Sequence, residues 1–121
     1  MEIRKLSNGY EFINESKGNS KGFVHSTTLF DSQGQEVGKC RHQYYNRTWE
    51  CYDFQSVMKC CVNNIIQDRQ KEFITKCKNA KGIKRLVQKE KNIILEHFEQ
   101  LIEIKELRKI YKELDFRFSR V

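Results

Sequence analysis

The 121-residue chain contains no proline, and this absence bears on every element that it can form. Average usage of about 5% would place about six prolines in a chain of this length. Because proline ends helices and interrupts strands, elements in this chain have few enforced stops. The chain also lacks any apolar run near the ~18 residues of a membrane span. Its first residues, MEIRKLSNGYEF, include no apolar segment of the signal-peptide kind, so we do not expect export.

The cysteines lack the spacing of a disulfide framework or a zinc site. They are odd in number and form no CxxC pair: Cys40, Cys51, Cys60, Cys61 and Cys77. Structural zinc sites usually combine such pairs with nearby histidines. We therefore expect reduced, mostly buried thiols in a cytoplasm, with no metal and no cofactor.

Motifs of enzyme active sites are missing as well. The chain has three histidines, none within a recognisable nucleophile signature: His25, His42 and His97. It has no glycine-rich phosphate loop and no HExxH sequence. Glu50 and Asp53 could be read as nuclease carboxylates for Mg²⁺, but a salt bridge from Glu50 to Arg47 and a helix cap by Asp53 need fewer assumptions. We predict that the protein is not an enzyme.

The first half of the chain has the alternation of β-strands. Residues 10–15, 22–30 and 36–45 alternate or are rich in β-branched and aromatic side chains, and turn residues separate them. Gly34 provides a residue suited to positive φ in the second turn. The pattern predicts a three-stranded antiparallel meander in which His25 and His42 face each other across a hairpin.

After residue 53 the apolar period changes to steps of three and four. The repeating residues are Phe54, Val57, Met58, Cys61, Val62 and Ile65. They predict an amphipathic helix over 54–67 with Asp53 as its N-cap. A second helix is expected over about 68–79, with Gly82 as a C-cap or break. Further on, either two helices over 83–103 and 105–115 or one continuous helix fits the pattern.

These patterns predict a single α+β domain over residues 1–121. It would comprise a β-meander over 1–53, a packing helix over 54–67 and a helical extension over 68–121 that is first basic, then neutral. The run Ile93-Ile94-Leu95 is wider than one helix contact needs. The C-terminal helices are therefore expected to contact two neighbours or a second subunit, which includes a homodimer.

The net charge of +7 comes entirely from the middle of the chain. Residues 59–91 carry ten basic and three acidic residues, whereas residues 1–58 and 92–121 are each balanced. Such a concentration is the electrostatic mark of a polyanion partner, although a solvated helix face is the alternative. The predicted contact residues are Arg69, Lys71, Lys76, Lys78, Lys81, Lys84, Arg85, Lys89 and Lys91.

The order of strands and turns resembles the β-β-β-α part of a double-stranded-RNA-binding domain. The likeness covers about 55 residues, from Tyr10-Glu11 through the Gln33-Gly34 hairpin to the helix at Phe54. That family opens its last helix with lysines that meet phosphates. Here the corresponding residues read NRTWECYDF, so the resemblance implies topology rather than duplex-RNA binding.

A second resemblance rests on the sequence NRTWE-x-Y-x-FQSV between Asn46 and Val57. It is similar to a signature of small proteins encoded by phages and other mobile elements of Gram-positive bacteria. Some small proteins of such elements are anti-CRISPR or other anti-defence inhibitors. The resemblance implies a location in the cytoplasm of a host bacterial cell.

Two functions are compatible with these observations. The first is a non-catalytic inhibitor that binds a host defence nucleoprotein, such as a CRISPR effector nuclease with its guide RNA or target DNA, through the basic helical segment. The second is a stand-alone nucleic-acid-binding accessory protein of a mobile element. Neither needs a membrane or a cofactor.

The segment Tyr44–Gln55 is expected to be structural, as the corner between sheet and helix, although a role as a contact surface is the alternative. If Trp49 is buried there, Trp49→Ala should lower the free energy of unfolding by about 3–5 kcal/mol, as large aromatic truncations in cores do. Chemical denaturation measures this change. A variant that stays stable but loses partner binding would instead place Trp49 on a contact surface.

Overall fold

A four-stranded antiparallel sheet in simple meander order forms one layer of the protein. The computed structural model describes residues 1–20, 22–44 and 54–119. The strands are β1 (Glu2–Lys5), β2 (Glu11–Asn19), β3 (Gly22–Phe30) and β4 (Glu36–Tyr44). Three helices follow: α1 (Gln55–Lys81), α2 (Gln88–Glu99) and α3 (Ile102–Ser119). The α+β class with an antiparallel sheet is therefore confirmed.

The sheet has one strand more than the three that the sequence predicts. The additional strand β1 pairs antiparallel with β2, with Ile3 opposite Ile13. Its sequence EIRK carries three charges in four residues, so it shows no apolar alternation. Charged residues are common on exposed sheet edges because they discourage pairing with other chains. Backbone pairing, rather than side-chain pattern, defines this strand.

The predicted pairing of the other strands is present. His25 lies directly opposite His42, and Thr27 lies opposite Cys40. Alternation places His25, Thr27 and Leu29 on one face, where each is at most 1% exposed. Among the described residues the opposite face is more open, with Val24, Ser26 and Thr28 half-buried, as is common for antiparallel sheets.

Helix α1 runs without interruption through both helices expected over 54–67 and 68–79. No glycine or proline lies between its ends, so its backbone has no reason to stop. It ends at Gly82, which adopts φ 67° in the left-handed region, as a C-cap glycine does. The apolar gap near Asp68 marks a change of neighbour, because Phe73 beyond it packs on Phe98 of α2 at 5.7 Å between ring centroids.

The core lies where α1 meets both the sheet and α3. Its buried residues include Phe12, Leu29, Met58, Cys61, Val62, Ile65, Ile66, Phe98, Ile104, Leu107, Ile110 and Leu114. Toward the sheet, Ile65 lies above Gly38 of β4. Toward α3, Gln55 donates to the carbonyl of Leu114 at 2.5 Å and Arg69 pairs with Glu103. These pairings make α1 and α3 antiparallel.

Helices α2 and α3 are separate, although no glycine or proline lies between them. Residues Gln100 and Leu101 form turn-type bonds to His97 and Phe98 at 3.1 Å. The break lets Phe98 and Ile104 both reach the core, at 0% and 1% exposure. Helix α2 begins at Gln88, five residues later than the sequence predicts, because residues 83–87 follow the α1 cap as a connecting segment.

Several predictions fall outside the described residues: the N-cap by Asp53, the pairing of Arg47 with Glu50, and the burial of Trp49. At the described end of that segment, Phe54 is half-buried and its ring lies 4.8 Å from that of His25. Across the described ranges, no helix has both the length and the apolar character needed to cross a membrane.

The contact of Gly38 with Ile65 provides a test of the packing between α1 and β4. A Cβ at position 38 would lie 2.5 Å from Cγ1 and 2.6 Å from Cδ1 of Ile65. Gly38→Ala should therefore cost about 1–3 kcal/mol of stability through overpacking. Ile65→Ala alone should cost about 2–5 kcal/mol by leaving a cavity.

In the double variant the added methyl occupies space that Ile65 vacates, so the loss should be smaller than the sum of the two single losses. Gly18→Ala is the matched control, since its nearest neighbouring atom would be 3.9 Å away. Denaturant titration of the four proteins measures the coupling. Strictly additive losses of stability would mean that Ile65 of α1 does not pack against Gly38 of β4.

Candidate functional site

Six predicted contact residues surround the turn between α1 and α2, which we call the basic elbow: Lys78, Lys81, Lys84, Arg85, Lys89 and Lys91. The first two lie in the last turn of α1, the next two in the connecting segment and the last two in the first turn of α2. All are exposed except Lys78, which is half-buried. The elbow contains one acidic residue, Glu90. None of the ion pairs formed among described residues includes a cation of the elbow.

The three remaining predicted residues lie along α1 on two different sides. Lys71 precedes Lys78 by two helical turns, so both project from the same side. Arg69 lies nearly opposite Lys71 around the helix, where its Nε is 2.9 Å from Oε1 of Glu103. Lys76 shares that side with Arg69, seven residues along. The structure therefore joins Lys71 to the elbow and separates Arg69 and Lys76 from it.

The two helix ends at the elbow carry partial charges of opposite sign, so they affect a lysine differently. Lys81 lies at the C-terminus of α1, whose partial negative charge favours a cation. Lys89 and Lys91 lie at the N-terminus of α2, whose partial positive charge disfavours one. The N-cap residue Val87 provides no side-chain hydrogen bond there. The N–H groups of the first turn and the lysines add their positive potentials at one place, where Glu90 of the same turn offsets part of them.

A second group of functional side chains lies at the other end of α1, between β4 and the helix. We call Cys40, His42 and Cys60 the thiol–imidazole cluster. One donor atom from each residue lies within 4.8 Å of the other two. The sulfurs of Cys40 and Cys60 are 3.6 Å apart. The amide nitrogen of Asn64 lies 3.6 Å from the first sulfur and 3.5 Å from the second.

Burial sets the protonation of the thiols around this cluster. Removal from water, followed by the hydrogen bond with Cys60, raises the pKa of Cys40 to about 11. Burial likewise raises the pKa of Cys61 to about 12, and this side chain is fully buried in the core. Both residues are therefore neutral thiols near pH 7 when no cation is bound. Of the described cysteines, one is buried and three are half-buried, which is less burial than expected.

This cluster was not predicted from the sequence, because its three residues form no CxxC pair or other zinc spacing. Cys40 and His42 share a face of β4 through the two-residue period of a strand. That part was readable from alternation in the sequence. Cys60 joins them only because α1 crosses β4 in one particular register, which no local pattern specifies.

Apolar side chains on the outside of the C-terminal helices bear on self-association. Ile94 is buried, whereas Ile93 and Ile102 are 47% and 81% exposed. Within the described chain, α2 does contact two neighbours, α1 and α3. The width of the Ile93-Ile94-Leu95 run is accounted for in part by these contacts, and the homodimer stays a prediction.

Comparisons with family models, with curated proteins and with solved structures found no match to this chain. The geometry of the two sites therefore carries the functional argument.

Replacing a lysine by glutamate should change the free energy of unfolding in opposite directions at the two helix ends of the elbow. Lys89→Glu replaces a cation at the positive end of α2 and should raise the free energy of unfolding by about 0.3–1 kcal/mol. Lys81→Glu places an anion at the negative end of α1 and should lower it by a similar amount. Thermal and chemical denaturation at low ionic strength measure both. Shifts of the same sign would show that helix-end electrostatics do not govern these positions.

Proposed function

We propose that this protein is a non-catalytic inhibitor that binds a host defence nucleoprotein of the CRISPR effector type through the basic elbow. The observation that carries the proposal is the grouping of cations there. The six elbow residues lie within fourteen positions that contain a single acid, Glu90, and Lys71 projects from the same side of α1 as Lys78. Within the described chain, none of these cations forms an ion pair.

A phosphate backbone is the partner whose chemistry suits this surface best. Lysine and arginine neutralise phosphates, and affinity grows with each counterion released from the nucleic acid. The N-terminus of α2 adds backbone N–H donors, which commonly bind phosphate oxygens. Lys89 and Lys91 are held at that end against the helix dipole, an arrangement that has a cost in stability and a benefit in anion binding.

Inhibition would follow from occupancy. The elbow would cover guide RNA, target DNA or an acidic protein groove of the nuclease. The nuclease could then no longer bind its target DNA productively. The likeness of NRTWE-x-Y-x-FQSV to small phage and mobile-element proteins supports this choice of partner. The inhibitor needs no catalytic group, and its cellular setting would be the cytoplasm of the host.

The alternative is a stand-alone nucleic-acid-binding accessory protein of a mobile element. The same surface favours it, because a run of cations at a helix end binds phosphates without a protein partner. The two functions differ in the assay that would detect them. The accessory protein binds free duplex or single strands at low salt, whereas the inhibitor reduces target cleavage by the nuclease.

A charge-reversal variant tests the assignment of the surface. Changing Lys78, Lys81, Lys84 and Arg85 to glutamate should abolish binding to the nucleoprotein or nucleic acid and leave the circular dichroism spectrum unchanged. For wild-type protein on duplex DNA, the logarithm of the binding constant should fall with the logarithm of salt concentration by about 0.9 for each phosphate neutralised. Fluorescence anisotropy over a salt series measures both.

The matched control reverses three lysines and one arginine on the open face of the sheet: Lys5, Lys17, Lys39 and Arg41. All four are exposed, and the control has the same net charge as the elbow variant. It should bind as wild type does. Equal losses in both variants would mean that overall charge, not the elbow, determines binding.

Cleavage assays then separate the two functions. Loss of target-DNA cleavage that depends on the elbow supports the inhibitor. Binding to free nucleic acid without any effect on cleavage supports the accessory protein. If the protein neither inhibits nor binds nucleic acid at low salt, the proposed function is wrong.

A further inference from the structure

We infer that Cys40, His42 and Cys60 form a binding site for Zn²⁺ that joins strand β4 to helix α1. The inference is independent of the proposed function, because the site lies at the other end of α1 from the basic elbow. Lys78 follows Cys60 by eighteen positions, which is about 27 Å along a helix.

The sulfur–sulfur distance is that of a tetrahedral zinc site, and the imidazole nitrogen lies close to both sulfurs. With Zn–S bonds of about 2.3 Å and Zn–N bonds of about 2.0–2.1 Å, two sulfurs lie about 3.8 Å apart and a sulfur and a nitrogen about 3.6 Å apart. The sulfurs of Cys40 and Cys60 are 3.6 Å apart. All three donors lie within 4.8 Å of one another. Side-chain shifts of about one ångström would therefore complete the coordination.

The donor types select the metal. Two thiolates and an imidazole form a soft set that favours Zn²⁺ over Mg²⁺ or Ca²⁺, which prefer oxygen ligands. On binding, two S–H bonds are replaced by Zn–S bonds, and both protons pass to solvent. The three ligands found among the described residues leave the fourth position to water or another ligand, as in zinc sites that stay accessible.

The surroundings of the cluster suit metal-bound thiolates. Asn64 is one turn after Cys60 on α1, and its amide nitrogen is directed at both sulfurs, at 3.6 and 3.5 Å. Such outer hydrogen bonds orient ligands and stabilise their charge. All three ligands are half-buried, which leaves a route for the ion from solvent.

A disulfide between Cys40 and Cys60 is the competing outcome. It would bring the sulfurs from 3.6 Å to about 2.05 Å and would not involve His42. The convergence of His42 on the same point favours a metal. The two outcomes also differ in chemistry, because the disulfide needs an oxidant and the zinc site does not.

Metal titration of the full chain under a thiol-free reductant tests the inference. After removal of metal with a chelator, Co²⁺ should bind in a 1:1 ratio. It should produce the thiolate charge-transfer absorption and the intense visible bands of tetrahedral coordination, and Zn²⁺ should displace it. Elemental analysis of protein purified without chelator should find zinc, and added Zn²⁺ should raise the melting temperature.

Variants locate the site. Cys40→Ser and Cys60→Ser should abolish the charge-transfer absorption, and Asn64→Ala should weaken Co²⁺ binding about 10–100-fold while all three ligands remain. Cys77→Ser is the matched control, because it removes another half-buried thiol of α1 outside the cluster. It should bind as wild type does.

Three results would overturn the inference. The first is wild-type protein that gives no thiolate–Co²⁺ absorption and no change of melting temperature with Zn²⁺. The second is absorption that Cys77→Ser removes and Cys40→Ser leaves intact. The third is protein purified without reductant that is lighter by two hydrogens through a Cys40–Cys60 disulfide and does not take up metal after reduction. The wild-type spectrum decides even if a serine variant does not fold.

Discussion

The packing of α1 against two neighbours is the interaction on which the rest of this structure depends. One side of the helix covers the sheet, where Ile65 lies above Gly38, and the adjacent side covers α3, where Gln55 bonds to Leu114. Both contacts bury aliphatic side chains, at about 0.8 kcal/mol per methylene removed from water. The sheet and α3 are each held in place by what they share with this helix.

The same helix separates the residues that fold the protein from those available to a partner. Its fully buried positions end at Ile66, and beyond that point its apolar contacts are partial. Fifteen further residues follow before the helix ends at Lys81. They carry cations that the core does not need, which explains how a charge excess is tolerated there while the sheet half of the chain is electrically balanced.

Two kinds of chemistry consequently lie at the two ends of one rigid element. At the N-terminal end, a strand and a helix bring soft donor atoms together at distances that suit a metal ion. At the C-terminal end, cations from two helices and the segment between them surround a turn. The grouping of the soft donor atoms depends on the register of α1 on β4 to within about an ångström. The positive potential of the elbow depends mainly on which residues are basic, because electrostatic attraction acts over about 8–10 Å in physiological salt.

Local patterns in the sequence determined much of this protein. Alternation identified three of the four strands and the facing of His25 and His42, and the period of α1 identified the buried side chains from Val57 to Ile65. Gly82 marked the end of α1 because few other residues adopt positive φ. Such features could be read because each depends only on neighbouring residues and on solvent.

The tertiary structure alone decided the rest. Strand β1 carries charges instead of an apolar pattern and exists through backbone pairing with β2. The break after α2 has no glycine or proline and lets both Phe98 and Ile104 reach the core. Cys60 meets Cys40 and His42 because of the angle and register of α1 on the sheet. These outcomes depend on contacts between residues distant in the chain, and no local pattern encodes which distant surface a side chain will meet.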